Sequence, residues 1–263
     1  MSECSCGKKK IRDYICKIIS IEKLSERIFW LTVECPELAS VVRPGNTVMI
    51  YPSSTSDPLL GRPFAVADRD IEKGFISVCW MILGRGTEMM TRFMEGATVQ
   101  VRGVFGVPFS EDSTSVHLAG GGAGAGILFL FAKLFPERIA SLSVGMPGRG
   151  YEKFAEKILS IVPNAKIYTD DGSFGDGDSM FKVLPKELNT NEQIWACGPP
   201  GFLNALEKHC ASSLDKLYFA IDNRMACGYG GCMGCVINTK NGMKRICVDQ
   251  SLFRADEVIR DAH

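Results

Sequence analysis

Residues 225–235 read MACGYGGCMGC: three cysteines, Cys227, Cys232 and Cys235, share eleven residues with four glycines, and Cys247 follows twelve positions later. The pattern C-x4-C-x2-C with a more distant fourth cysteine is that of plant-type [2Fe-2S] ligation. Two irons bridged by two sulfides need four thiolates aimed at a small volume. Gly228, Gly230, Gly231 and Gly234 let the backbone wrap closely and turn N–H groups toward the sulfurs. Zinc is the sharper rival, since four thiolates also suit a tetrahedral site, although such sites usually pair two short-spaced knuckles and only one C-x2-C occurs here. A loop of ordinary buried thiols is the bland alternative.

Three other stretches have the composition to hold phosphate. GRPFAVAD puts Arg62 and Pro63 at the head of a strand, and LGRGTEMM puts Gly84, Gly86 and Thr87 at the start of a helix. A bidentate arginine beside free N–H groups can hold a pyrophosphate; a surface Arg-Pro turn and a plain helix cap are the competing readings. AGGGAGAG is stronger, because it follows a strand and opens a helix. There Gly120, Gly122 and Ala125, with Gly121 between, satisfy GxGxxG/A. About twenty positions on, where a dinucleotide fold holds the ribose with an acid, the chain reads ASLSVGM. CGPPGF, with Cys197 and Gly198, marks a second strand end, which a structural turn explains equally well. No candidate base can be placed beside a substrate: His117, His209 and His263 fall in a strand, a helix end and the terminus, so no catalytic residue is expected here.

The elements that position these residues follow from periodicity. From about residue 10 to 110, short alternating runs separated by turn residues (ICKIISIEKL, IFWLTVEC, NTVMIYP, FAVADR, FISVCWMIL, ATVQVRGVF) predict an antiparallel β-barrel, interrupted by one helical pattern at GTEMMTRFM. After PFSEDST the texture changes to alternating strands and helices, which predicts a parallel sheet covered on both faces. Past residue 216 glycine and cysteine dominate. The expected units are 10–112, 113–215 and a small lobe over 216–263. That lobe is too short for a ferredoxin domain, so its thiol loop should lean on the rest of the protein.

Composition narrows the partners. At 263 residues and 46% hydrophobic, the chain is near the size at which one core splits into two. Thirty basic and thirty acidic residues cancel, leaving no electrostatic reason to expect nucleic acid or an acidic membrane. The start, MSECSCGKKK, lacks the apolar stretch of a secretory signal, and a cytoplasmic location is expected. GILFLFAKLF has about half the roughly 20 residues a spanning helix needs, so it reads as a buried helix. Eleven cysteines then suggest metal ligands and buried thiols before disulfides; for Cys4 and Cys6 a mobile tail is the expectation and a stray metal the alternative.

With these stretches in order, the chain resembles the electron-transfer subunits of two-subunit, NAD-linked dihydroorotate dehydrogenases, within the ferredoxin-reductase superfamily. The resemblance runs over nearly the whole length, and NRMACGYGGCMGCV with ICVD is its most specific part; TDDGSFG and CGPPG support it. It implies an FAD-binding barrel, an NAD-binding α/β domain and a C-terminal [2Fe-2S] lobe. The family's Arg-Pro-x-Ser flavin motif falls on Arg62, Pro63, Phe64 and Ala65, where alanine replaces the usual serine or threonine. A middle-strand contact falls on Cys79, Trp80 and Met81, and the Gly-Thr pair on Gly86 and Thr87. The nucleotide loop lacks the family's proline. Arg149 meeting a 2′-phosphate would favour NADP; a plain surface arginine is the alternative.

The resemblance further implies a separate FMN-containing catalytic subunit, in a heterotetramer of two subunits of each kind. Electrons then pass from that FMN through [2Fe-2S] and FAD to NAD, in pyrimidine biosynthesis. A flavin/iron-sulfur reductase subunit of a hydrogenase or sulfite reductase is the nearer alternative. A non-catalytic, cysteine-rich metal-binding or redox-sensing module is the distant one.

Overall fold

A computed structural model describes residues 11–112, 115–177 and 179–259; Cys4, Cys6 and His263 lie outside them. The first six strands are β1 (Arg12–Lys23), β2 (Ile28–Glu34), β3 (Thr47–Ile50), β4 (Arg62–Asp70), β5 (Phe75–Met81) and β6 (Thr98–Phe105). They close into a barrel in the order β1-β2-β5-β4-β3-β6, every pair antiparallel.

Period-two alternation divides the barrel's side chains between two cores. Phe29, Leu31 and Val33 of β2 and Ile76, Val78 and Trp80 of β5 fill the barrel, while Ile28, Trp30 and Cys79 join the core of the second layer. Both faces of β2 and β5 are therefore buried. Two helices belong to this unit: α1 (Pro36–Val41), which the alternation did not reveal, and α2 (Arg85–Met89). Proline at its first turn starts α1, and its Leu38 and Ala39 plug the barrel core.

The second layer alternates β7 (Ser115–Gly121), α3 (Gly126–Leu134), β8 (Ile139–Met146), α4 (Glu152–Ile161), β9 (Lys166–Thr169), β10 (Glu192–Cys197) and α5 (Pro200–His209), then β11 (Leu217–Phe219). Helix α3 is apolar apart from Lys133 because it lies between layers: Leu130 packs into the barrel core, and Leu128, Phe129 and Phe131 into the sheet core.

The last segment forms a hairpin of β12 (Val236–Thr239) and β13 (Gly242–Arg245), followed by β14 (Phe253–Arg254). The sheet order is β14-β11-β10-β7-β8-β9, parallel except for β14. Strands β11 and β14 both lie past residue 216, so the stretch expected to form a separate lobe supplies two strands to the α/β sheet. Strand β11 is only three residues long, too short for its alternation to be legible.

Candidate functional site

Successive strands leave β7 in opposite directions, with β8 on one side and β10 on the other. The crevice of an open α/β sheet lies at such a reversal, outside the carboxyl ends of the strands. Both expected glycine turns are there. Cys197 of β10 stands opposite Gly120 of β7 in register, and the turns that follow are in backbone contact: a Cβ on Gly124 would lie 3.1 Å from Gly198 Cα and 3.4 Å from Cys197 Sγ. Side chains at these positions would wedge the turns apart.

The barrel supplies the opposite wall. Gly126 approaches Cys79 and Ala67, and Gly122 approaches the Met81 methyl. Of the expected middle-strand residues, Cys79 and Met81 face this side. The Trp80 side chain points into the barrel, stacked on Phe29 at 5.3 Å, with its indole N–H donating to the Thr87 carbonyl at 3.2 Å. Phe64 tilts against Trp80, and Ala65 stands opposite Thr47 on β3. Burial pushes the Cys79 and Cys197 thiols up to about 12, with the Asp222 carboxylate adding to the effect on Cys197.

At the mouth of the barrel, Arg62 lies directly against Gly86, where a Cβ would collide with the guanidinium. Arg62 Nη1 donates to the Leu60 carbonyl at 2.6 Å. Thr87 Oγ1 accepts the N–H groups of Leu83 and Gly84 and donates to the Gly84 carbonyl. The threonine hydroxyl therefore holds the turn shut, and the guanidinium is left as the anion-directed group. An arginine in a cradle that a Cβ would fill suits a pyrophosphate.

The thiol loop is shaped by the β12–β13 hairpin. Cys235 precedes β12 and Cys247 follows β13, so pairing of Val236 with Arg245 carries the two thiols across twelve residues to 3.3 Å. The Cys232 N–H donates to Cys227 Sγ at 3.4 Å, and the Gly234 N–H to Cys232 Sγ at 3.4 Å. Burial works against ionisation of Cys227, but N–H groups of Cys232, Tyr229 and Gly231 outweigh it and bring the thiol down to about 7. Burial, then the neighbouring Cys235, pushes Cys247 up to about 12.

Among the described residues, no three His, Cys, Asp or Glu side chains are grouped so as to hold one ion. The thiols stand instead as two pairs, Cys227 with Cys232 and Cys235 with Cys247. Two pairs suit two irons, each taking two thiolates, better than a single tetrahedral zinc. The loop does lean on the barrel. Gly228, at φ +75°, lies on the Phe105 ring, and the Gly106 N–H donates to the Cys247 carbonyl at 2.9 Å. Cys235 and Cys247 share a core with Met49 and Phe105. Arg245 ties the outer turn by donating to the Gly230 carbonyl at 2.8 Å while paired with Asp249. Met233, between two thiols, is the non-glycine residue with positive φ among those described.

Asp171 escaped the sequence reading. Two residues past β9, an acid reaches the turn after β8: the Asp171 carboxylate accepts the Arg149 N–H at 3.2 Å and the Ser173 N–H at 2.9 Å, filling the space beside Gly148. Hydrogen bonds from Ser173 hold its carboxyl below the usual aspartate range. The DDG turn in TDDGSFG was the available signal, but its distance from β8 in sequence concealed the pairing. A cavity of about 220 Å³ lined by Trp30, Asp68, Arg69, Lys133 and Lys157 lies toward the other end of α3. Its lysines are already paired with Asp68 and Glu22.

Residues 222–259 match the family profile described as the iron-sulfur cluster binding domain of dihydroorotate dehydrogenase B. Over 241 residues the chain is 32% identical to a dihydroorotate dehydrogenase B (NAD(+)) electron transfer subunit homolog of Aquifex aeolicus, covering 90% of this chain and 94% of that one. It is 30% identical over 250 residues to the electron transfer subunit from Geobacillus thermodenitrificans, covering 92% and 96%. Among solved structures, it is similar to a chain of an NADH-dependent reduced ferredoxin-NADP oxidoreductase, with TM-score 0.76, 25% identity, and 94% and 90% coverage. Phthalate dioxygenase reductase shares the fold, with TM-score 0.65 at 14% identity and 91% and 95% coverage. The two-pair thiol loop, the barrel cradle and the nucleotide crevice thus occur in a chain that belongs to the family of dihydroorotate dehydrogenase B electron transfer subunits.

Proposed function

We propose that this chain is the electron-transfer subunit of an NAD-linked dihydroorotate dehydrogenase, moving electrons between a [2Fe-2S] centre, FAD and NAD while a separate FMN-containing subunit oxidises dihydroorotate. One observation carries this reading. The thiol loop packs on the barrel whose mouth holds the Arg62–Gly86 cradle and whose β5 carries Cys79 and Met81 against the nucleotide turn, so three sites surround one barrel. Iron and sulfide supply single-electron transfer, nicotinamide takes a hydride, and a flavin between them does both.

The chain's own residues hold and insulate these groups. Arg62 takes the pyrophosphate of FAD beside Gly86; Pro63, Phe64, Ala65, Cys79, Met81 and the Thr87 turn shape the flavin side. Gly120, Gly121, Gly122, Cys197 and Gly198 form the nicotinamide floor. Cys227, Cys232, Cys235 and Cys247 hold the irons. Asp170, Asp171 and Glu152 outnumber Arg149 around the turn after β8, which favours NAD over NADP.

Cys232 is exposed, and Tyr229 and Met233 in the same loop are 62% and 47% exposed. This rim of large apolar side chains suits docking of the catalytic subunit, in an assembly of two copies of each. No helix among the described residues is long and apolar enough to cross a membrane. Among the described residues the nine cysteines form no disulfide, which supports a reducing, cytoplasmic location.

Mixing the purified chain with a catalytic subunit tests this directly: NADH should form from dihydroorotate only when both are present. A second reading, a reductase subunit with another redox partner, draws on the likeness to the ferredoxin-NADP oxidoreductase chain. It gains if the mixture stays silent while NADH still bleaches the flavin.

A further inference from the structure

We propose that Asn46 is the positioning residue that holds the thiol loop at a set distance from the flavin, and so governs how fast single electrons cross between them. The inference rests on the proposed function. The step itself moves one electron: the iron-sulfur centre is oxidised, the flavin is reduced, and no bond or proton changes partner. Electron transfer falls steeply with the gap between two centres, so whatever fastens the loop to the barrel controls its rate.

A continuous chain of contacts joins the two sites. On one side, the Gly106 N–H donates to the Cys247 carbonyl at 2.9 Å. The Gly106 carbonyl in turn accepts from Asn46 Nδ2 at 3.1 Å, and the Phe105 carbonyl accepts from the same nitrogen at 3.3 Å. On the other side, the Asn46 carbonyl accepts the Val66 N–H at 3.0 Å, directly after Ala65 of the flavin motif. Strand register repeats this route. Thr47 stands opposite Ala65 on β4 and opposite Phe105 on β6, and Phe105 is the ring on which Gly228 lies.

Asn46 is completely buried. Its own turn asks for less than the side chain provides. Closing residues 43–46 takes the Asn46 N–H on the Arg43 carbonyl at 3.0 Å and Oδ1 accepting the Arg43 N–H at 2.9 Å; an aspartate would serve there equally. The amide donor adds nothing to that turn, and its protons reach across to the end of β6 instead. Without it the two carbonyls lose a partner, and the residues that carry Cys247 are free to shift against the barrel.

The test compares the full native chain with Asn46→Leu, similar in volume but lacking the amide, each checked for FAD, iron and the EPR g-values of the reduced cluster. Both are photoreduced to completion and mixed with NAD in a stopped flow. Flavin absorbance returns as the hydride leaves, and cluster absorbance returns as its electron follows. The hydride phase should stay within about twofold. The cluster phase should slow by on the order of tenfold in Asn46→Leu, with both reduction potentials near native. In the cofactor-free chain, hydrogen exchange over residues 244–250 should quicken in Asn46→Leu while that of β7 stays unchanged.

A cluster phase that keeps its native rate in the variant overturns the inference, as does one slowed only in step with a shifted potential or with an equally slowed hydride phase. Should Asn46→Leu fail to hold flavin or iron, the native chain decides: chelating its iron must speed amide exchange at Gly106 and Val66 together and leave β8 unchanged, or the inference falls. Failure of the loaded native chain to pass any hydride to NAD would overturn the proposed function itself.

Discussion

The guanidinium of Arg62 occupies the space that a side chain at Gly86 would need. The two residues are distant in sequence, at the head of β4 and in the first turn of α2. Their contact turns two weak signals into one candidate pyrophosphate cradle.

Gly86→Ala should therefore displace Arg62. Loss of a hydrogen bond to a charged group costs about 1.5–3 kcal/mol, which predicts FAD affinity lower by roughly 10- to 100-fold. Fluorescence titration of flavin-stripped protein measures this, and Arg62→Ala should give a similar loss with the glycine intact.

The thiol pairs predict a split between the ligands. Cys232 is exposed, whereas Cys235 and Cys247 are buried in a core shared with Phe105. Cys232→Ser should abolish the iron-sulfur absorbance and lower bound iron while leaving FAD content and thermal midpoint near native. Cys247→Ser should lose the iron and also lower the midpoint, because it puts a hydroxyl into an apolar site.

Asp171 predicts coenzyme choice. Replacing it by serine removes a negative charge from the turn after β8, where a 2′-phosphate would otherwise meet repulsion. Binding of 2′,5′-ADP relative to 5′-AMP should improve on the order of tenfold, equivalent to about 1.4 kcal/mol. Isothermal titration with the two nucleotides provides the comparison, and an unchanged ratio would remove Asp171 from specificity.

The barrel seam has a pH signature. Asp13 on β1 stands opposite Arg102 on β6 in register, with bidentate contacts at 2.6 and 2.7 Å. The Arg102 hydrogen bonds hold the Asp13 carboxyl below its ordinary value. A depressed folded pKa stabilises the native state above the unfolded value of about 3.9, and that stability is lost as pH falls through the folded value. The pair is partly exposed, so Asp13→Asn should cost no more than about 1 kcal/mol at pH 7. In urea titrations the gap from native should close as the pH falls below the aspartate range.

The barrel strands, the order of the βα units, both glycine turns and the spacing of the four thiols were legible because each is written in neighbouring residues. Alternation, a turn before a helix and C-x4-C-x2-C all act over a few positions. Helix α1 went unread although Pro36 opens it, and β11 and β14 were hidden because their partners define them more than their own pattern.

Tertiary structure alone decided how distant residues meet. Pairing of β12 with β13 brings Cys235 to Cys247, the path of β9 puts Asp171 beside the turn after β8, and the ladder from β10 to β11 brings Ala220 to Ala196 at the end of β10. The physical reason is the range of the forces: local conformational preference is encoded residue by residue. Long-range contacts depend on which faces the whole chain can bury together, and burial is cooperative across the fold.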